Sequence, residues 1–140
     1  MSKAALYTVN ANAQTVAAGG SLALGTIARR FGNTRCCTPV INLAASGGSI
    51  SLNECGYYLV TVDVTDAPTA AGAVTVTLYQ DGAPVSGAVA TNTAAAGSDA
   101  TSVSVTAIVR VLNCTTSVLT AVLTAGDGSV TNVAVSVVKI

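Results

Sequence analysis

The sequence predicts an all-β protein, a two-sheet antiparallel sandwich of about ten strands, and three observations predict it. Hydrophobicity alternates with period two almost everywhere, and nothing sustains a period of 3.6. β-Branched Val and Thr fill the interiors of the periodic segments, where stiff side chains favour a pleated strand over a helix. Clusters of Gly, Asn, Ser and Asp-Gly divide the chain at the spacing of sandwich strands.

Taken in order, an opening ALYTV (Ala5 to Val9) reads as a strand. Short apolar pieces follow at Thr15 to Ala17, Leu22 to Ile27, Val40 to Leu43 and Ser49 to Leu52. Longer strands are expected at Tyr57 to Val64, Val74 to Gln80, around Val85 to Thr91, Thr101 to Leu112, Ser117 to Thr124 and Asn132 to Ile140. QDGAP (Gln80 to Pro84) holds an Asp-Gly pair between two of them, the strongest short hairpin signal, and AGDGS (Ala125 to Ser129) offers a second. DAPTAAG and TNTAAAGSD read as longer loops of small residues. No linker interrupts the pattern, so residues 1–140 are read as one domain.

The strand beginning at Tyr57 alternates cleanly. Val60, Val62 and Val64 share one phase and are expected to face the core, with Tyr58 on the same phase at its rim and Asp63 on the polar phase. Gly56 is the strand entrance, where the chain turns out of the loop Asn53 to Cys55 and a side chain would crowd a neighbouring sheet end. The later strands are partly apolar on both faces: Thr101 to Leu112 carries Val103, Val105, Val109 and Val111 on one and Ile108 and Leu112 on the other. A second apolar face needs a cover, and a subunit interface supplies one.

Composition narrows the function. Basic and acidic residues number six each, so a neutral chain lacks the long-range attraction that nucleic acid or an anionic membrane requires. Arg29, Arg30 and Arg35 make a patch too small to track phosphates. There is no histidine, the only glutamate is Glu54, and the five aspartates are scattered, so neither an acid/base pair nor a Ser-His or Cys-His nucleophile can be assembled. No catalytic site and no cofactor is expected. Glu54, beside Cys55, reads as a solvated loop carboxylate. With 51% hydrophobic and 9% charged residues, the chain falls well short of the quarter to a third of charge that a solvent-facing surface usually carries. Surface buried between copies accounts for the deficit; Ser, Thr, Asn and Gly on the outside account for part of it. No segment reads as an export signal or a membrane span. The chain is expected to be made in a cytoplasm and to reach the outside by lysis or on a released particle.

The order ISLNECGYYLVTV, then VTVTLYQDGAPV, then a terminal SVTNVAVSVVKI resembles the jelly-roll head shared by complement component q and tumour necrosis factor proteins. The likeness runs from about Ile50 to Ile140 and is nearest to the bacterial branch, found at the tips of spore-surface collagen-like fibres and in phage particles. No collagen-like Gly-x-y repeat accompanies it, so the chain resembles a head without a stalk. The resemblance implies a two-sheet jelly roll, a homotrimer, and an antiparallel neighbourhood between the strand from Tyr57 and the strand Thr101 to Leu112. It further implies a structural role at a virion surface, with the major capsid protein or other virion components as partners. A spore-surface or cell-surface protein, or a module that binds a host ligand or glycan through its loops, are the alternatives.

The implied strand pairing brings Cys55 and Cys114 to the same end of one sheet, where a disulfide or a close thiol pair fits. Cys36 and Cys37 are adjacent and cannot easily bond to each other; they reach the same end, join another subunit or stay free. Zinc is not expected, because the cysteines lack the paired short spacings of a zinc knuckle.

Overall fold

A computed structural model of the chain describes residues 3–34, 37–112 and 115–140. Twelve strands are formed, and no helix, among the described residues. They are β1 (Ala5–Asn10), β2 (Gln14–Val16), β3 (Gly20–Ser21), β4 (Thr26–Phe31), β5 (Ile41–Leu43), β6 (Ile50–Leu52), β7 (Gly56–Pro68), β8 (Gly72–Gln80), β9 (Ala83–Ala94), β10 (Thr101–Val111), β11 (Ser117–Ala125) and β12 (Gly128–Lys139). The first sheet runs in the order β10-β7-β12-β1-β4 with β2 against β12; the second runs β5-β6-β11-β8-β9 with β3 against β11. Every pairing is antiparallel, as predicted. β2 falls at the short piece expected around Thr15 to Ala17, and the strand that the apolar pattern does not separate is the two-residue β3.

The core lies between the sheets and follows from the alternation. Val60, Val62 and Val64 of β7, Val103, Val105, Val109 and Val111 of β10, and Val133, Val135 and Val137 of β12 all point inward and are buried. Leu119, Ala121 and Leu123 of β11 and Val74, Val76 and Leu78 of β8 meet them from the second sheet. Each such Val or Leu side chain contributes about 1.5–3 kcal/mol by leaving water.

Local turn chemistry fixes the register. Asp81 (φ 53°) and Gly82 (φ 82°) both occupy the left-handed region between β8 and β9, the geometry in which an Asp-Gly pair matches the twist of a two-residue hairpin. The Asp81 carboxylate also locks the turn to β11: one oxygen accepts from the Val118 amide at 2.8 Å and the other from the Ser117 hydroxyl at 2.6 Å.

Several boundaries differ from the sequence pattern, β12 among them, which begins at Gly128 and not at Asn132. Leu22 and Leu24 are buried, as their alternation says, but the strand begins only at Thr26. Gly25, at φ +84°, is the reason: a Cβ there would stand 2.0 Å from the Val9 carbonyl oxygen, so the chain passes hard against β1 before it can pair with it. β7 continues four residues beyond Val64 to Pro68, and β9 runs to Ala94, into segments whose small residues read as loop. Partner length sets those limits, since Asp66 pairs with Thr101, Pro68 with Gly128 and Gly72 with Ala94.

Candidate interaction face

The outward face of the first sheet is built from the second phase of its strands, and register sorts that phase into rows. One row crosses the whole sheet as Ile108–Leu59–Val138–Ala5–Phe31, from the β10 edge to the β4 edge. On one side of it lie Arg110, Tyr57 and, just past β12, Ile140, whose amide donates to the Tyr57 carbonyl. On the other lie Thr106–Thr61–Ser136–Tyr7–Arg29, then Ser104–Asp63–Ala134–Val9. The face is therefore apolar at one end and small and polar at the other. Eleven large apolar side chains are exposed among the described residues, and all but Val89 and Val118 belong to strands of this sheet or directly follow them. At the β4 edge Tyr7, Arg29, Phe31 and Val138 border a shallow, almost wholly apolar trough of about 250 Å³. Arg110 sets its guanidinium 5.6 Å from the centre of the Tyr57 ring, a cation–π distance. Asp63 accepts a hydrogen bond from the Ser104 hydroxyl at 2.6 Å.

The inward phase of β7 carries polar groups at both ends. At the Gly56 end, the Lys139 ammonium is 2.5 Å from a Glu54 carboxylate oxygen, with the lysine side chain 2% exposed and the glutamate 24%. The Tyr58 hydroxyl donates to the Glu54 carbonyl oxygen at 2.5 Å. Burial, reinforced by the Glu54 charge and opposed by that hydrogen bond, pushes the Tyr58 phenol up to about 12, so it stays a donor across the physiological range. Tyr58 is wholly buried and not at the rim of the core, because its hydroxyl has this partner inside. Glu54 is correspondingly not a solvated loop carboxylate. Gly56, at φ +140°, sits beneath the lysine stem: a Cβ there would stand 3.0 Å from Lys139 Cε.

At the other end Asp66 is fully buried, and neither carboxylate oxygen has a hydrogen-bond partner. Burial raises its pKa, the nearby Ala67 amide opposes the rise, and the Asp127 charge adds to it. Lys139 and Asp66 did not stand out in the sequence, although both lie on the phase of buried valines, two residues beyond Val137 and Val64 respectively.

Of the cysteines, Cys37 is exposed and Cys55 half-buried. Cys55 directly precedes the Gly56 that pairs with Val111, so it lies at the end of the first sheet where β10 finishes. Cys36 and Cys114 lie outside the described residues, and with them the Cys55–Cys114 pairing and any partner of Cys36. No group of three cysteines or carboxylates able to hold a metal ion is found among the described residues. A polar cleft of about 210 Å³ beside the Asp81 turn is lined by Gln80, Asp81, Arg110 and Ser117. Its polar groups are already engaged: the Gln80 amide donates to the Arg110 carbonyl and to the Ser117 hydroxyl, both at 2.9 Å, and Ser117 donates to Asp81.

No family model matches the sequence, and no curated protein matches it. Solved structures do match the fold. The globular domain of zebrafish complement 1qA superimposes with a TM-score of 0.68 at 12% identity, covering 94% of each chain. Murine APRIL at pH 5.0 gives 0.69 at 12% identity, covering 99% of each. The Eiger TNF of S. frugiperda gives 0.68 at 14% identity, over 100% of this chain and 94% of that one. The chain has the two-sheet jelly-roll fold of complement component q and tumour necrosis factor heads.

Proposed function

We propose that the protein is a non-catalytic structural head, a single jelly-roll domain that assembles as a homotrimer and decorates the surface of a phage particle, seated on the major capsid protein or another virion component. The observation that carries the reading is the crowding of exposed apolar side chains onto one face of one sheet. A face bearing Ile108 at 61% and Phe31 at 60% exposure, in a chain with 9% charge, needs a cover, and a second copy of the same face is always at hand. The solved heads of this fold include a complement 1q domain and cytokines of the tumour necrosis factor type, a likeness that supports a binding or structural role over an enzymatic one. The alternative of a loop-borne glycan site is not favoured, because all five aromatic residues lie in strands: Tyr7, Phe31, Tyr57, Tyr58 and Tyr79.

Two measurements test this. Light scattering of the recombinant chain at micromolar concentration is expected to give three times the 13.7 kDa of one copy; a clean monomer overturns the assembly. Genes for a major capsid protein and a portal beside this one support the virion role. Spore-coat or collagen-like neighbours move the protein to a spore or cell surface.

A further inference from the structure

The buried carboxyl at the Pro68 end of β7 has no partner within the sheet, and its surroundings point to one taken from solution. We propose that Asp66 and Asp127 hold a calcium ion beneath the loops at that end of the sandwich, a site contained within one copy and independent of how copies associate.

Three observations carry it. Asp66 is fully buried with both carboxylate oxygens unpaired, flanked in register by Thr101 of β10 and Val130 of β12. The Thr101 hydroxyl turns away from it and donates to the Asp99 carbonyl oxygen at 3.1 Å. A carboxyl buried in this way takes either a proton or a cation. The chain supplies no cation of its own there. Among the described residues Lys139 and Arg110 sit at the Gly56 end of the first sheet, Arg29 and Arg30 on β4, and Lys3 ahead of β1. The loops at the Pro68 end, residues 69–71, 95–100 and 126–127, contain Asp99 and Asp127 and no basic residue. Asp127 is exposed and close enough for its charge to act on Asp66, so a solvent-facing carboxylate accompanies the buried one. The three loops are also joined to one another. The Ser98 amide donates to the Pro68 carbonyl at 2.7 Å and the Thr69 amide to the Asp127 carbonyl at 3.0 Å, and a Cβ on Gly97 would stand 2.7 Å from the Thr69 carbonyl oxygen. Backbone carbonyls thus crowd within a few residues of the buried carboxyl. Calcium suits such a site, because it takes about six to eight oxygens in flexible geometry and draws them from carboxylates, loop carbonyls and water. Magnesium demands a near-ideal octahedron and keeps several waters, and zinc favours nitrogen and sulfur.

Melting in chelator and in calcium tests the site. At neutral pH the wild-type chain is expected to melt roughly 5 °C higher in millimolar calcium chloride than in EDTA. Sodium chloride at matched ionic strength is expected to give none of that rise, and magnesium chloride only a part of it. Asp66→Val is expected to melt at the same temperature with calcium as with chelator. Asp127→Asn changes an exposed position, which keeps the test open should Asp66→Val not fold; it is expected to raise the calcium concentration at half-effect about tenfold. Titration calorimetry is expected to count one calcium ion per wild-type chain and none for Asp66→Val. A wild-type chain that melts alike in EDTA and in calcium overturns the proposal, as does a calcium response that survives in Asp66→Val. An unchanged half-effect in Asp127→Asn overturns the two-carboxylate shell, and an equal rise in magnesium chloride overturns the choice of calcium.

Discussion

The two ends of β7 bury ionisable groups on the same inward phase and treat them in opposite ways. At the Gly56 end the Lys139 charge meets Glu54, and the Tyr58 hydroxyl has the Glu54 carbonyl. At the Pro68 end Asp66 has nothing for either oxygen. A charge taken out of water is tolerable when its partner travels with it; without one, the group holds its proton more tightly. One strand thus carries a satisfied polar cluster and an unsatisfied one, with three valines between them.

The middle of the strand sets the scale. Val62→Asp places a carboxylate where even a paired charge has no room, and it is expected to abolish folding, seen as loss of the β-sheet circular dichroism signal in the soluble fraction. Glu54→Gln is the next largest. It leaves the Lys139 ammonium buried and unpaired, at a cost of about 3 kcal/mol by urea denaturation. Lys139→Met is expected to cost less, because the part-exposed Glu54 retains contact with water. Equal losses from the two variants break the argument that the lysine is the buried partner.

Gly56→Val is expected to cost roughly 1–3 kcal/mol. It forces a β-branched side chain into a left-handed backbone and against the Lys139 stem. In the Lys139→Met background part of that cost is expected to vanish, since the shorter, uncharged chain can move aside. A cost unchanged in that background assigns the whole effect to the backbone.

The smallest effect carries the opposite sign. Asp66→Val is expected to stabilise the protein by about 1–2 kcal/mol at pH 7, by removing a buried group without partners. The pH dependence sharpens this. A carboxyl whose pKa rises on folding holds its proton more tightly in the folded state, so its penalty is absent in acid. The penalty grows as pH climbs from the ordinary value of 3.8 through the raised folded value, and is complete above that. The wild-type chain should therefore lose thermal stability across that window relative to Asp66→Val, and the two melting curves should converge below it. A wild-type chain that gains on the variant as pH rises sinks the reading of Asp66.

Both clusters were within reach of the sequence, and the reason they were passed over is physical. Period two marks Val60, Val62 and Val64, and the same step reaches Asp66; Val133, Val135 and Val137 lead likewise to Lys139. A polar residue at the end of such a run reads as the point where the strand leaves the core. The partner strand decides otherwise, since Asp66 still faces Thr101 and Lys139 still faces Tyr58. The fold class was legible because alternation, β-branching and the Asp-Gly turn agree with one another. The rows of the outward face were not, because a row such as Ile108–Leu59–Val138–Ala5–Phe31 joins residues from five strands and exists only once the register is known.

The position of β12 has a consequence for how the molecule comes into being. This strand lies between β7 and β1 in the middle of the first sheet, so the sheet stays in two pieces, β10-β7 and β1-β4, until β12 pairs with both. Pairings of such long sequence separation carry a large loop-closure cost before any contact offsets it, and chains that rely on them fold in milliseconds to seconds. Until β12 inserts, β7 and β1 each present a bare edge beside an apolar face. Insertion of β12 therefore closes the first sheet, which makes this one strand the step on which both halves of the sheet depend.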